Sequence, residues 1–139
     1  MPVVQSVDFN PSYIDNLWLV YLGEKQETSK SVAAFLRSYV IMQEDIDFFS
    51  ALPCDFLRVK NLKDFGGLMI DHEERLSKLL DLPSIKEERF KDLDGYVKSL
   101  GAWGGDFALL ASEWKEERLA SYLSEKGLYQ WFSFKDLIL

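Results

Sequence analysis

Three glycines fall within the six residues Gly101-Ala102-Trp103-Gly104-Gly105-Asp106, and this stretch has the composition best suited to chemistry. Glycine gives up more backbone entropy on folding than any other residue, so a cluster serves a geometry that side chains would forbid. One such geometry turns several backbone N–H groups toward an anion such as phosphate. Another lets a second backbone or a substrate come close. The competing reading is a tight helix-to-strand turn with no ligand. Composition by itself favours that reading, because glycine-rich motifs often match by chance.

Other reactive side chains are sparse. His72 is the single histidine, followed by Glu73 and Glu74. The zinc spacing His-Glu-x-x-His is not completed, since Leu76 stands where the second histidine belongs. A histidine on an apolar stripe reads as a packed residue. Asp64-Phe65-Gly66 repeats a protein-kinase tripeptide without the accompanying motifs, so it reads as coincidence. Cys54 follows Pro53 in an apolar context and reads as a buried thiol. The runs Lys86-Glu87-Glu88-Arg89 and Lys115-Glu116-Glu117-Arg118 mix signs and read as solvated helix faces.

These residues need elements to hold them. Val3 to Phe9 partly alternates, which predicts a strand before the turn Asn10-Pro11-Ser12. The apolar run Leu17 to Leu22, closed by Gly23, predicts a buried strand. Four or five helices follow. The first is capped by Thr28 or Ser29 and carries Val32, Phe35, Leu36, Tyr39 and Val40 on one face. A short one runs through Ile46, Phe48 and Phe49 until Pro53 interrupts it. The strongest signal is Leu62, Phe65, Met69, His72, Leu76 and Leu79, in steps of three and four, ending at Leu82-Pro83-Ser84. Gly66-Gly67 would weaken that helix or permit close packing. Phe90, Leu93, Val97 and Leu100 predict a further helix running straight into the glycine loop.

Phe107 to Ala111 then reads as a strand, and Ser112 as the cap of a last helix through Leu119, Tyr122 and Leu123, with Gly127 just past its end. Tyr129 to Phe134 reads as a final strand. The order predicts an α+β fold: an antiparallel or mixed four-stranded sheet with helices packed on one face, in a split βαβ, ferredoxin-like arrangement. A right-handed crossover makes the last two strands parallel, either adjacent or with one strand between them.

Bulk properties narrow the function classes. The 139 residues suit one domain, and 47% hydrophobic with 28% charged residues is the balance of a folded chain. A net charge of -7 repels phosphate backbones and argues against nucleic-acid binding. One cysteine excludes an intrachain disulfide and suits a reducing compartment. No apolar run approaches a membrane span, and Met1-Pro2-Val3-Val4 lacks the features of a signal peptide, so a cytoplasmic protein without membrane contact is expected.

Lys98-Ser99-Leu100-Gly101-Ala102-Trp103-Gly104-Gly105-Asp106-Phe107-Ala108-Leu109 resembles the third motif of the GHMP kinases, in which a lysine, a small residue and a glycine loop precede an apolar strand. Leu17 to Gly23 followed by Thr28-Ser29 resembles the opening of that family's C-terminal domain. Leu68 to Glu73 through Leu79-Leu80-Asp81-Leu82-Pro83-Ser84 resembles its helix before the loop. Trp103 and Asp106 depart from the family pattern, which has small residues there, and the Gly-Ala-Trp-Gly-Gly-Asp form is similar to the divergent GYDIA-type branch.

The resemblance implies a mevalonate kinase-like C-terminal domain over residues 1–139. Residues Gly101, Ala102, Trp103, Gly104, Gly105 and Asp106 would line a substrate and phosphate cleft. It implies no catalytic residue and no metal ligand in this chain. ATP and Mg²⁺ belong to the intact kinase and are not expected on this chain alone. The partners implied are a small-molecule substrate and an N-terminal kinase domain, in cis or as a separate chain. No Pro-x-x-x-Gly-Leu-Gly-Ser-Ser-Ala phosphate loop occurs here, so the chain alone is not expected to be active. The alternative is a non-catalytic ligand-binding or oligomerisation module that retains the fold. The aromatic residues Tyr129, Trp131, Phe132 and Phe134 read as core; if an absent domain normally covers part of them, the chain alone would expose an apolar patch and tend to form a homodimer.

Overall fold

A computed structural model describes residues 8–23, 42–100 and 107–137. A 3-10 turn, Ile14–Asn16, leads into strand β1, Leu17–Tyr21. Helices α1, Gln43–Arg58, α2, Leu62–Leu80, and the short α3, Ile85–Arg89, follow. Strands β2, Tyr96–Ser99, and β3, Phe107–Ala111, precede α4, Glu116–Glu125. The described chain closes with β4, Trp131–Ser133, and a last turn of helix, α5, Phe134–Leu137.

The four strands form one sheet in the order β2-β3-β1-β4, and every neighbouring pair is antiparallel. β3 and β4 both run opposite to β1, so they are parallel to each other with β1 between them. This is the split βαβ unit expected from the sequence, with α4 as its crossover.

Side chains alternate across the sheet and build two cores. Trp18, Val20, Val97, Ala108 and Leu110 pack with Phe90 and with Leu119 and Leu123 of α4. Leu17, Leu109 and Ala111 pack with Phe65 and Met69 of α2. The expected helical layer is therefore joined by a second one on the opposite face. Each fully buried large apolar side chain contributes about 1.5–3 kcal/mol.

Several local expectations are corrected. Phe90 to Leu100 does not form a helix: α3 ends at Arg89, a turn follows, and β2 begins at Tyr96. Phe90, Leu93 and Val97 still meet in one core, now from a turn and a strand. Gly95 allows that switch, because a Cβ there would overlap the Ala111 carbonyl oxygen. Pro53 does not end its helix, since α1 continues to Arg58. Pro53 is exposed, so the ring's cost is one backbone bond on the outer side. Ser112 does not cap α4, whose N-cap is Lys115. Its buried hydroxyl donates to the Asp94 carbonyl and accepts from Trp114 N, tying two turns together. Cys54 is exposed rather than buried.

Other expectations hold. β1 is the apolar strand, α2 carries Phe65, Met69 and Leu79 inward, and Gly127 follows α4 with φ 75°. The final strand is shorter than its aromatic run, since Phe134 begins α5. The strand expected over Val3 to Phe9 lies outside the described residues except at Asp8 and Phe9, which have no regular structure. The helix capped by Thr28 or Ser29 also lies outside them.

Trp114, Arg118, Tyr122 and Lys126 form an i, i+4 ladder along α4. The Arg118 guanidinium lies 4.2 Å from the Trp114 ring and Lys126 Nζ 4.9 Å from that of Tyr122. Tyr122 also donates to Asp92 Oδ1 at 2.8 Å. Burial, then this bond, pushes the phenol above its ordinary 10.0, while the same bond first of all holds Asp92 below its ordinary 3.8. Above pH 10 the unfolded chain loses the phenol proton first, so stability falls as pH rises. On the acid side the Asp92 contribution is lost as pH drops below 3.8. Tyr122→Phe is expected to flatten both limbs, as read from urea midpoints between pH 3 and 11.

Candidate functional site

β2 and β3 are the two stems of the glycine loop. Ser99 pairs with Ala108, and Leu100 N donates to the Phe107 carbonyl at 3.2 Å. The loop thus joins adjacent antiparallel strands rather than a helix and a strand. Residues Gly101, Ala102, Trp103, Gly104, Gly105 and Asp106 themselves lie outside the described residues. Their immediate flanks are held by the sheet ladder.

The β2 stem is braced from α2. Glu73 is only 3% exposed. Its Oε1 accepts from both the backbone N and the hydroxyl of Ser99, each at 2.8 Å. Glu73 Oε2 is buried without a hydrogen-bond partner among the described residues. His72 Nδ1 lies 3.5 Å from Glu73 Oε1, and its ring stacks edge-on against Phe49 at 5.6 Å. His72 is thus a packed residue, as its place on the stripe suggests.

Lys98 is half-buried, and its ammonium donates to the Ser99 carbonyl at 3.1 Å. Burial lowers its pKa and the Glu73 charge opposes that shift. The ammonium is therefore engaged with the chain. Among the described residues no group of three or more His, Cys, Asp or Glu is placed to hold a metal ion.

Three depressions mark the described surface. One of about 460 Å³ lies at the far end of β2, between Lys63, Lys86, Asp94, Gly95, Tyr96 and Glu113. One of about 410 Å³ lies between α1 and α2, beside the Arg75–Asp45 ion pair at 2.9 Å. The third, about 240 Å³, adjoins the loop stem and is lined by Phe9, Phe56, Phe65, Lys98, Leu100 and Leu109. Its floor is an aromatic cluster around Phe65, whose ring centroid is 5.0 Å from that of Phe56 and 6.3 Å from that of Phe9. Such walls suit the hydrocarbon part of a small molecule.

Sequence reasoning singled out the loop and gave Glu73 no part in holding its stem. The available signal was its position: Phe65, Met69 and Glu73 follow one another at i, i+4 and i+8 on the buried stripe of α2. Also among the described residues, no helix is long and apolar enough to cross a membrane.

No family model matches the chain, and no curated protein matches it in sequence. Solved structures do. The Methanococcus jannaschii mevalonate kinase is similar at 25% identity and TM-score 0.60, over 86% of this chain and 39% of that one. The Lin0012 protein from Listeria innocua is similar in fold at 17% identity and TM-score 0.60, over 89% of this chain and 39% of that one. The L. major mevalonate kinase, solved with R-mevalonate, is similar in fold at 19% identity and TM-score 0.51, over 79% and 38%. The chain spans about two fifths of the length of these proteins. Its α+β fold, with a four-stranded antiparallel sheet and helices, matches the C-terminal-like fold of the GHMP kinases, as the loop resemblance implied.

Proposed function

We propose that this chain, which has the fold of the GHMP kinases, is the C-terminal domain of an ATP-dependent, mevalonate kinase-like small-molecule kinase. The observation that supports this most directly is the position of the loop. Gly101 to Asp106 connects β2 and β3 at one end of the sheet, in a fold shared with the M. jannaschii mevalonate kinase. In this reading residues 1–139 act as one domain in the cytoplasm, and the loop faces a cleft shared with an N-terminal domain, in cis or as a separate chain.

Phosphoryl transfer needs the triphosphate cradled, Mg²⁺ held and the acceptor hydroxyl aligned. ATP and Mg²⁺ supply the phosphoryl group and the charge that neutralises it. This chain's part is positional. The loop's backbone N–H groups would donate to phosphate or substrate oxygens. The depression beside Leu100 and Leu109 would take the substrate's hydrocarbon body and keep water off it. Lys98 is tied to Ser99 and would act through the loop's stem, not as a phosphate ligand.

Trp103 and Asp106 favour a second reading, a ligand-binding or oligomerisation module that has lost the chemistry. An indole fills space that a small residue leaves open for ligand, and a carboxylate repels phosphate.

Amide NMR separates the two. Titration with R-mevalonate, sugars or amino-acid alcohols is expected to shift the signals of residues 98–108, while the chain alone turns over no ATP. A homodimer by light scattering, with no shift in that window, would sink the kinase reading and support the second.

A further inference from the structure

We propose that Glu73 is a positioning residue for the end of β2, the strand that leads into the glycine loop, held through a two-point clamp on Ser99. The functional consequence rests on the cleft reading above; the clamp itself does not.

Glu73 occupies a core-facing position of α2, in line with Phe65 and Met69. Burying a carboxylate costs several kcal/mol unless its oxygens are paired. Here one oxygen is paired twice and the other has no partner among the described residues. An apolar residue would pack here but would leave the Ser99 donors buried and unpaired, so what the carboxylate adds is its bonds to β2.

What it serves is visible in its partners. β2 is the edge strand of the sheet, so every second N–H of β2 points away from β3. The Ser99 N–H is one of these, and the next residue's N–H already turns back to Phe107. Glu73 satisfies the outward donor at the last residue of β2, two residues before Gly101. Bonding the Ser99 hydroxyl as well fixes the side chain along with the backbone. A charged acceptor makes both bonds stronger than neutral ones. Phe107 is held by β3 pairing to β1, and Ser99 is held by Glu73.

The test compares Glu73→Leu, which keeps the burial and removes the acceptor, with Glu73→Gln, which keeps an acceptor oxygen and removes the charge. Amide hydrogen exchange and NMR on the full chain read both. In Glu73→Leu, exchange at Ser99 is expected to rise tenfold or more. The signals of residues 101–106 should move, while amides of Leu110 and Leu119 keep their protection. Glu73→Gln should restore most of the wild-type pattern. Ser99→Ala removes one of the two bonds in a folded domain and gives an intermediate pattern, which keeps the test open should Glu73→Leu not fold. Unchanged exchange at position 99 in a folded Glu73→Leu, or in Ser99→Ala should Glu73→Leu not fold, would overturn the proposal. So would a uniform loss of protection in Glu73→Leu that Glu73→Gln does not rescue. Signals of residues 98–108 that ignore R-mevalonate, sugars and amino-acid alcohols while the clamp behaves as described would sink only the kinase reading.

Discussion

Phe90→Ala is expected to destabilise the domain by about 3–5 kcal/mol. The ring is fully buried and is the largest such side chain among the described residues. It sits where α3 ends, on the sheet face that also receives Val97, Leu110 and Leu119. Removing it leaves a void between three elements that are pinned by other contacts, so little collapse can fill it. Against the roughly 5–15 kcal/mol of an ordinary domain, that loss is at least about a fifth of the stability. Urea unfolding followed by tryptophan fluorescence should show the midpoint fall with little change in slope. A loss under about 1 kcal/mol would mean that the α3–β2 turn can close over the gap.

Two neighbouring glycines in α2 are expected to respond with opposite signs. A Cβ at Gly66 would overlap the Cγ, Cδ2 and Cε2 atoms of the Tyr96 ring. Those atoms include the ring's attachment point, so a small rotation does not clear the clash. Gly66→Ala should therefore lose about 1–3 kcal/mol despite alanine's better helix propensity. At Gly67 a Cβ would meet nothing within 4 Å, and Gly67→Ala should gain about 0.5–1 kcal/mol. Thermal midpoints of the two variants check the pair. A double change, Gly66→Ala with Tyr96→Ala, should recover part of the Gly66 loss and identify the ring as its cause. Similar behaviour of both glycine variants would show that backbone propensity, not the approach of β2, decides the outcome.

The sites of these substitutions mark where sequence and structure part. Gly66 and Gly67 are equivalent in the sequence, and either could have been the point of close packing. Which one is buried depends on where β2 lands on α2, and β2 itself was hidden. Phe90, Leu93, Val97 and Leu100 step through the chain as a helix face would. The same spacing is met by a buried ring, a turn and a strand with alternate residues inward, because Gly95 admits the close pass beneath Ala111. Pro53 looked like a helix stop, but on the exposed side of α1 its ring displaces only one bond. The glycine loop was legible as a motif, and its brace was not. Glu73 stands next to His72 and Glu74 and reads as one more solvated acid until α2 is laid against the edge of the sheet.

What the sequence by itself determined is whatever a short window of chain can encode. The apolar run of β1, the three-and-four stripe of α2, the glycine closing α4 and the loop that resembles the GHMP kinases all depend on residues within about twenty positions of each other. The tertiary structure alone decided what depends on partners brought from far along the chain. Ser99 finds its acceptor in another element, and Leu110 finds Trp18 across the ladder. Hydrogen-bonding and burial are properties of a place in space. For Glu73 that place exists only once helix and strand have met.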